Sequence, residues 1–279
     1  MQYIKVLMIE NEIGRGERAS WGSFPRVIRN DDLNTLSNHS EYLGAKSGDT
    51  EAAISLISKT LKQETVEECF KLLKKCSDVI LVPVLAKEVA GNNKIPLVTA
   101  KFLSEYLELP FVDNIVQKEK IGRTGKGADY RLAFNPTFEG FVDNSKEYFI
   151  VDDTLTMGGT IASLHGYLKN RGAKVVGAMV MTAHVGSLEL PIKQSMYNDI
   201  INKHSEEINQ FWKKEFGYGI EKLTQAEAGH LRAAKTFDQL RTRIIEARYA
   251  GVSQLVEGNE ISKKTFEQKK SEPEQDIER

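Results

Sequence analysis

The apolar residues of this chain form short unbroken runs in its first two thirds and helical stripes toward its carboxyl end. Tyr3 to Ile9, Asp78 to Pro83 (DVILVP), Phe149 to Val151 and Ala173 to Met181 are β-rich runs, of the kind that suits buried parallel strands. Thr50 to Leu61, Thr65 to Lys75 and Ile161 to Asn170 are amphipathic and read as helices. Gly172 stands where a helix C-cap is expected, so residues 149–181 form a β-loop-α-β unit. After Pro191, Ile192, Met196, Ile200, Ile201, Ile208, Phe211 and Trp212 lie mostly on one helical stripe, which Gly217 and Gly219 interrupt. Thr224 and Glu227 then make a capping box opening a further helix, and Asp238 to Ala250 carries another apolar stripe. Ser262 to Arg279 is almost wholly polar, with Pro273, and is expected to be disordered.

These shifts of pattern divide the 279 residues into an amino-terminal segment 1–64, an α/β core 65–186, a helical extension 187–258 and a charged tail 259–279. A net charge of −1 gives no general attraction to nucleic acid or to an anionic membrane. No segment approaches ~18 consecutive apolar residues and no signal peptide opens the chain, so a membrane span is not expected. The two cysteines, Cys69 and Cys76, are read on one helix two turns apart, too distant for an unstrained disulfide. Unpaired thiols of this kind suit a reducing compartment, so the protein is expected to be cytoplasmic. The histidines show no metal-ligand spacing, and no metal-binding residue is assigned; His184 reads as a strand-end residue.

The candidate chemistry lies in YFIVDDTLTMGGT, residues Tyr148 to Thr160. Asp152 and Asp153 follow a buried strand at its carboxyl end, the edge at which parallel α/β sheets bind ligands, and are expected to be exposed there. The following loop, Thr154, Leu155, Thr156, Met157, Gly158, Gly159 and Thr160, has hydroxyl donors and two glycines leading into a helix N-terminus. That arrangement suits a phosphate. Carboxylates repel phosphate, so Asp152 and Asp153 are matched instead to sugar hydroxyls or a metal ion. Together the motif can hold both ends of a ribose 5-phosphate. A receiver domain also opens with acidic residues, but near its amino terminus rather than at mid-chain. Neither GxGxxG nor GxxxxGK[ST] occurs.

VDDTLTMGGT resembles the phosphoribosyl pyrophosphate (PRPP) loop of type I phosphoribosyltransferases. The resemblance extends upstream: Gly91, Asn93, Leu103, Leu107 and Pro110 match a helix of the ComF-like branch, although Ala90 stands where that branch has an arginine. Ala86, Lys87 and Glu88 fall at the loop that meets pyrophosphate in the family. The cluster Lys118, Lys120, Arg123, Lys126 and Arg131 falls where such enzymes carry a basic hairpin over pyrophosphate. The matches cover about the middle two-fifths of the chain, in the family's order.

The resemblance implies an α/β fold with a mostly parallel sheet flanked by helices, a hood-like amino-terminal segment and a carboxy-terminal helical extension. It implies transfer of ribose 5-phosphate from PRPP to a nucleobase-like acceptor, with magnesium carried on the substrate. In that reading Lys87, Arg123, Lys126, Asp152 and Asp153 are catalytic, and Thr154 to Thr160 bind the sugar phosphate. In the 6-oxopurine branch the position of Thr156 is an aspartate, so hypoxanthine and guanine are not the expected acceptors. The main alternative is a PRPP- or nucleotide-sensing protein that keeps the cradle without transfer. The carboxy-terminal arginines Arg241, Arg243 and Arg248, with Lys235, also permit DNA binding, but interspersed acidic residues favour a dimer interface or hood, so a homodimer rather than a nucleic-acid complex is expected.

Overall fold

The computed structural model describes residues 15–86, 92–118 and 127–251. The Tyr3 to Ile9 strand, the polar tail, Lys87, Lys120, Arg123 and Lys126 lie outside the described residues.

Four strands form a wholly parallel sheet in the order β1-β6-β5-β2. They are β1 (Ile28–Asp32), β2 (Val79–Pro83), β5 (Glu147–Leu155) and β6 (Lys174–Ala183). A small antiparallel pair, β3 (Val116–Gln117) and β4 (Phe138–Glu139), stands apart from it. β5 is central and flanked on both edges, which is why its sequence is apolar on both faces. Side chains alternate along it, so Ile150 packs with Val180 and with Ile161, Leu164 and Leu168 of one helix. Phe149 and Val151 face the opposite way, against Leu81, Met179 and Met181 and a second set of helices.

That second set is α1 (Tyr42–Lys46), α2 (Thr50–Thr60), α3 (Gln63–Leu73) and α4 (Ile95–Leu107). Asp49 caps α2 by accepting the Ala52 N–H at 3.0 Å. The amino-terminal residues thus enter the main core, since Ile28 and Leu36 share a cluster with Leu56, Ile57 and Val151. The helix on the first face is α6 (Gly159–Asn170), and Gly172 follows it with φ of +86°, the left-handed residue expected after its end. The short helix α5 (Ala128–Ala133) precedes β4.

Beyond β6, α7 (Gln194–His204), α8 (Glu207–Phe216), α9 (Gln225–Ala233) and α10 (residues 237–251) gather around Trp212, Phe216, Leu231 and Leu240. The stripe read after Pro191 is two helices rather than one, broken at Ser205, where φ is +60°. Ser205 Oγ accepts the Glu207 N–H at 3.3 Å and so starts the second helix. Cys76 also departs from expectation, because α3 ends at Leu73 and only Cys69 sits on it. Cys69 is buried and Cys76 half-buried, both as free thiols. No helix among the described residues is long and apolar enough to cross a membrane.

Candidate functional site

β5 runs two residues past the aspartates, because β6 continues beside it: Thr154 pairs with Thr182 and Leu155 with Ala183. The loop before α6 is therefore only residues 156–158, shorter than the motif implies. Leu155 is buried in the core, so any contribution it makes to a ligand is through its backbone. Thr154 Oγ1 lies 3.1 Å from Thr182 Oγ1.

Both aspartates are buried, 6% and 7% exposed, in contrast to the exposure expected at a strand end. The reason is cover from residues distant in sequence. Asp152 continues the face of Ile150 and Asp153 that of Val151, toward α1 and α4. There Asp153 Oδ2 accepts from Lys46 Nζ at 2.5 Å and from Asn93 Nδ2 at 2.8 Å. Asp152 Oδ1 accepts the Asp153 N–H at 2.8 Å. Burial raises the Asp152 pKa well above the usual 3.8, and the Asp153 charge beside it raises it further. Burial acts the same way on Asp153, but the Lys46 ammonium and the bonds from Lys46 and Asn93 outweigh it and hold that carboxyl below its ordinary value. The two carboxyl groups of one motif are thus inequivalent, with the pKa of Asp152 raised and that of Asp153 lowered.

This asymmetry predicts opposite outcomes for two isosteric changes. A carboxyl with a raised folded pKa stabilises the fold below its unfolded pKa, and that contribution is lost as pH rises through the folded value. Asp152→Asn removes the loss, so its melting temperature should exceed wild type at about pH 8, with the gain shrinking toward about pH 4. Asp153→Asn strands the Lys46 ammonium in a half-buried site and should cost about 2 kcal/mol at neutral pH. Melting curves across pH check both, and equal effects of the two changes would contradict the asymmetry.

Gly158, with φ of +79°, is the left-handed residue of the loop, whereas Gly159 opens α6. Space at Gly158 is taken by protein: a Cβ there would come within 2.5 Å of Leu190 Cδ2 and 3.2 Å of Thr224 Cγ2. The helical extension therefore seats on the loop. Thr224 Oγ1 donates to the Met157 carbonyl at 2.6 Å while accepting the Glu227 N–H at 3.0 Å, and the Met157 side chain joins the extension's apolar cluster. The capping box read from Thr224 and Glu227 is present in full, and it has this second purpose. Thr224→Val should remove both bonds and cost about 1–2 kcal/mol, to be read by chemical denaturation.

Two cations stand at the site that the motif alone does not announce. Lys46 comes from the C-terminal turn of α1, 107 residues from Asp153, and no local pattern marks it. Arg131 is read from sequence with the basic hairpin over pyrophosphate, and its Nη1 donates to Thr156 Oγ1 at 2.6 Å, on the loop between β5 and α6. α5 (Ala128–Ala133) carries Arg131 to that loop. Thr160 sits half-buried in the first turn of α6. Among the described residues no three His, Cys, Asp or Glu side chains cluster to hold a metal.

No protein-family model matches the chain. It is 27% identical over 133 residues to HGPRTase-like protein 2 of Haloferax volcanii, a match covering 47% of this chain and 70% of that protein. With the parallel sheet, the carboxylate pair closing β5 and the glycine turn into α6, the architecture is defined. The described residues form an α/β fold whose four-stranded parallel sheet is flanked by helices. The chain is also 53% identical over 241 residues to Protein TraN of Escherichia coli, covering 86% of this chain and 54% of that protein. An uncharacterized protein of Haemophilus influenzae is 38% identical over 152 residues, with 54% of this chain and 34% of that protein covered. The chain thus spans about half of the first of these two relatives and about a third of the second. Among solved structures, adenine phosphoribosyltransferase from Rhodothermus marinus aligns with 56% of this chain and 75% of its own, at 17% identity and a TM-score of 0.32. Purine phosphoribosyltransferase from Pyrococcus horikoshii aligns with 42% of this chain and 79% of its own, at 16% identity and a TM-score of 0.28.

Proposed function

We propose that this phosphoribosyltransferase-like core binds PRPP and transfers its ribose 5-phosphate to a nucleobase-like nitrogen, releasing pyrophosphate. The observation that carries the reading is the junction of β5 and α6, where a buried carboxylate held by Lys46 and Asn93, a second buried carboxyl and a glycine turn into a helix N-terminus converge. The turn and the first amides of α6 take the 5-phosphate, and the carboxyl groups orient the ribose hydroxyls. Magnesium would come with PRPP as part of the substrate and would neutralise charge on the leaving pyrophosphate.

In the reaction the bond from C1 to the pyrophosphate oxygen breaks, and its electron pair leaves with pyrophosphate. The acceptor nitrogen then bonds C1 through an oxocarbenium-like transition state. Positive charge grows at C1, and the ionised Asp153 stabilises it at short range. Lys46 moves between Asp153 and the charge developing on the leaving group. Lys87, Arg123 and Lys126, outside the described residues, keep the role of leaving-group cations that the resemblance implies.

A second reading, a sensor of PRPP or a nucleotide, is favoured by the bond from Thr224 to the Met157 carbonyl, which ties the loop to the carboxy-terminal helices. Pyrophosphate release from magnesium-PRPP with a panel of bases decides between them. Turnover supports the transferase. PRPP binding by calorimetry without turnover of any base supports the sensor, and absence of PRPP binding overturns both. Guanine and hypoxanthine should be poor acceptors, since Thr156 cannot act as a general base and Arg131 occupies its hydroxyl. Efficient guanine turnover would refute that exclusion.

A further inference from the structure

The geometry points to Arg131 as a phosphate-binding residue of the β5–α6 loop, gripping the 5-phosphate of a ribose 5-phosphate ligand together with the hydroxyl of Thr156. This assignment rests on the reading that the loop accepts a phosphate. Residues 156–160 carry no charged side chain, and Asp152 and Asp153 lie just upstream, with Thr154 and Leu155 between. A dianionic phosphate beside two carboxyl groups therefore needs cations from elsewhere in the chain. Lys46 answers Asp153, on the α1 side. Among the described residues Arg131 is a cation placed directly on the loop, 2.6 Å from Thr156 Oγ1.

The contact is shaped for sharing. Because Thr156 Oγ1 accepts from Arg131, its own O–H is directed elsewhere and can donate to a phosphate oxygen. A guanidinium presents its donors in a planar fork, so one edge can serve Thr156 and a phosphate oxygen together. α5 is also held in place from behind. His230 Nε2 lies 2.8 Å from Asp129 Oδ1, and Arg243 Nε donates to Asp129 Oδ2 at 3.0 Å. Tyr130 stacks on the fully buried Phe134 with ring centroids 5.0 Å apart. Arg131 is thus presented by a helix anchored to the carboxy-terminal cluster, so little ordering is left to be done when a ligand arrives.

The test is calorimetric titration of ribose 5-phosphate into wild type, Arg131→Gln and Arg131→Lys at two salt concentrations. Arg131→Gln should weaken binding about tenfold or more and flatten the salt dependence, while Arg131→Lys should fall between, keeping the charge but not the fork. If Arg131 only shaped Thr156, Lys would be as poor as Gln and the salt dependence would match wild type, which overturns the assignment. Affinity of Arg131→Gln within twofold of a binding wild type also overturns it, and overturns it alone. A wild type that takes up no ribose 5-phosphate overturns this assignment and the loop reading together. Unchanged melting temperatures accompany the expected result, because Arg131 is only half-buried.

Discussion

Glu227→Ala should destabilise the protein by about 3–5 kcal/mol, because it leaves a buried guanidinium without its counter-ion. Arg18 Nη1 and Nη2 donate to Glu227 Oε2 and Oε1 at 2.9 and 2.8 Å, and both side chains are 1% exposed. Arg18 Nη2 also donates to Asn135 Oδ1 at 2.8 Å, and Glu227 Oε2 accepts the Thr224 N–H at 2.9 Å. Burial alone would lower the Arg18 pKa, but the Glu227 carboxylate more than offsets it, so Arg18 stays charged. The pair ties Arg18 to the cap of α9, and through Thr224 to the loop between β5 and α6. A loss of that size lowers the melting temperature by on the order of 10 °C in a chain of this length. Replacing both partners, Arg18→Met with Glu227→Leu, should cost clearly less than Glu227→Ala alone. Thermal and urea unfolding of the single and double variants check this, and a double variant as unstable as the single would show that shape rather than uncompensated charge decides.

How far the sequence discloses this arrangement depends on the distance between partners. The β5 run, the α6 stripe, Gly172 and the Thr224–Glu227 cap are legible because each is set by residues within a turn or two. β1 is not, since Ile28–Asp32 reads IRNDD and only pairing with β6 makes it a strand. Among the described residues it is an edge strand, and its buried polar residue Asn30 is satisfied by bonds to Thr60, Lys62 and Thr65. The burial of Asp152 and Asp153 is hidden for the same reason. Lys46 and Asn93 reach Asp153 across 107 and 60 residues, and a strand-end carboxylate without them would be wet. Arg131 was visible as a basic residue, but its target was set by α5, whose direction depends on Asp129 meeting His230 and Arg243 over more than 100 residues. Chemistry of a motif is local, whereas its electrostatics are supplied by whatever the fold brings to it.

Gly158→Val should do more harm than Gly159→Val, although the two glycines are adjacent and the motif treats them alike. Gly158 sits at φ of +79°, where a β-branched residue is strained, while Gly159 has no such φ and opens α6. A side chain at 158 would also strike Leu190 Cδ2 and Thr224 Cγ2, at 2.5 and 3.2 Å from the Cβ position. Leu190 is buried and Thr224 is fixed by its bonds to Met157 and Glu227, so neither can yield without unseating the carboxy-terminal helices. Strain of about 1–3 kcal/mol and overpacking of similar size add, for a total of about 2–6 kcal/mol. The consequence goes beyond stability. If the variant relaxes by lifting the extension off the loop, hydrogen exchange should rise at the α9 amides near Thr224 and at the first turn of α6 together, and ribose 5-phosphate affinity should fall with them. Exchange that rises in α6 alone, with α9 unchanged, would mean that the extension is not seated on the loop through Gly158.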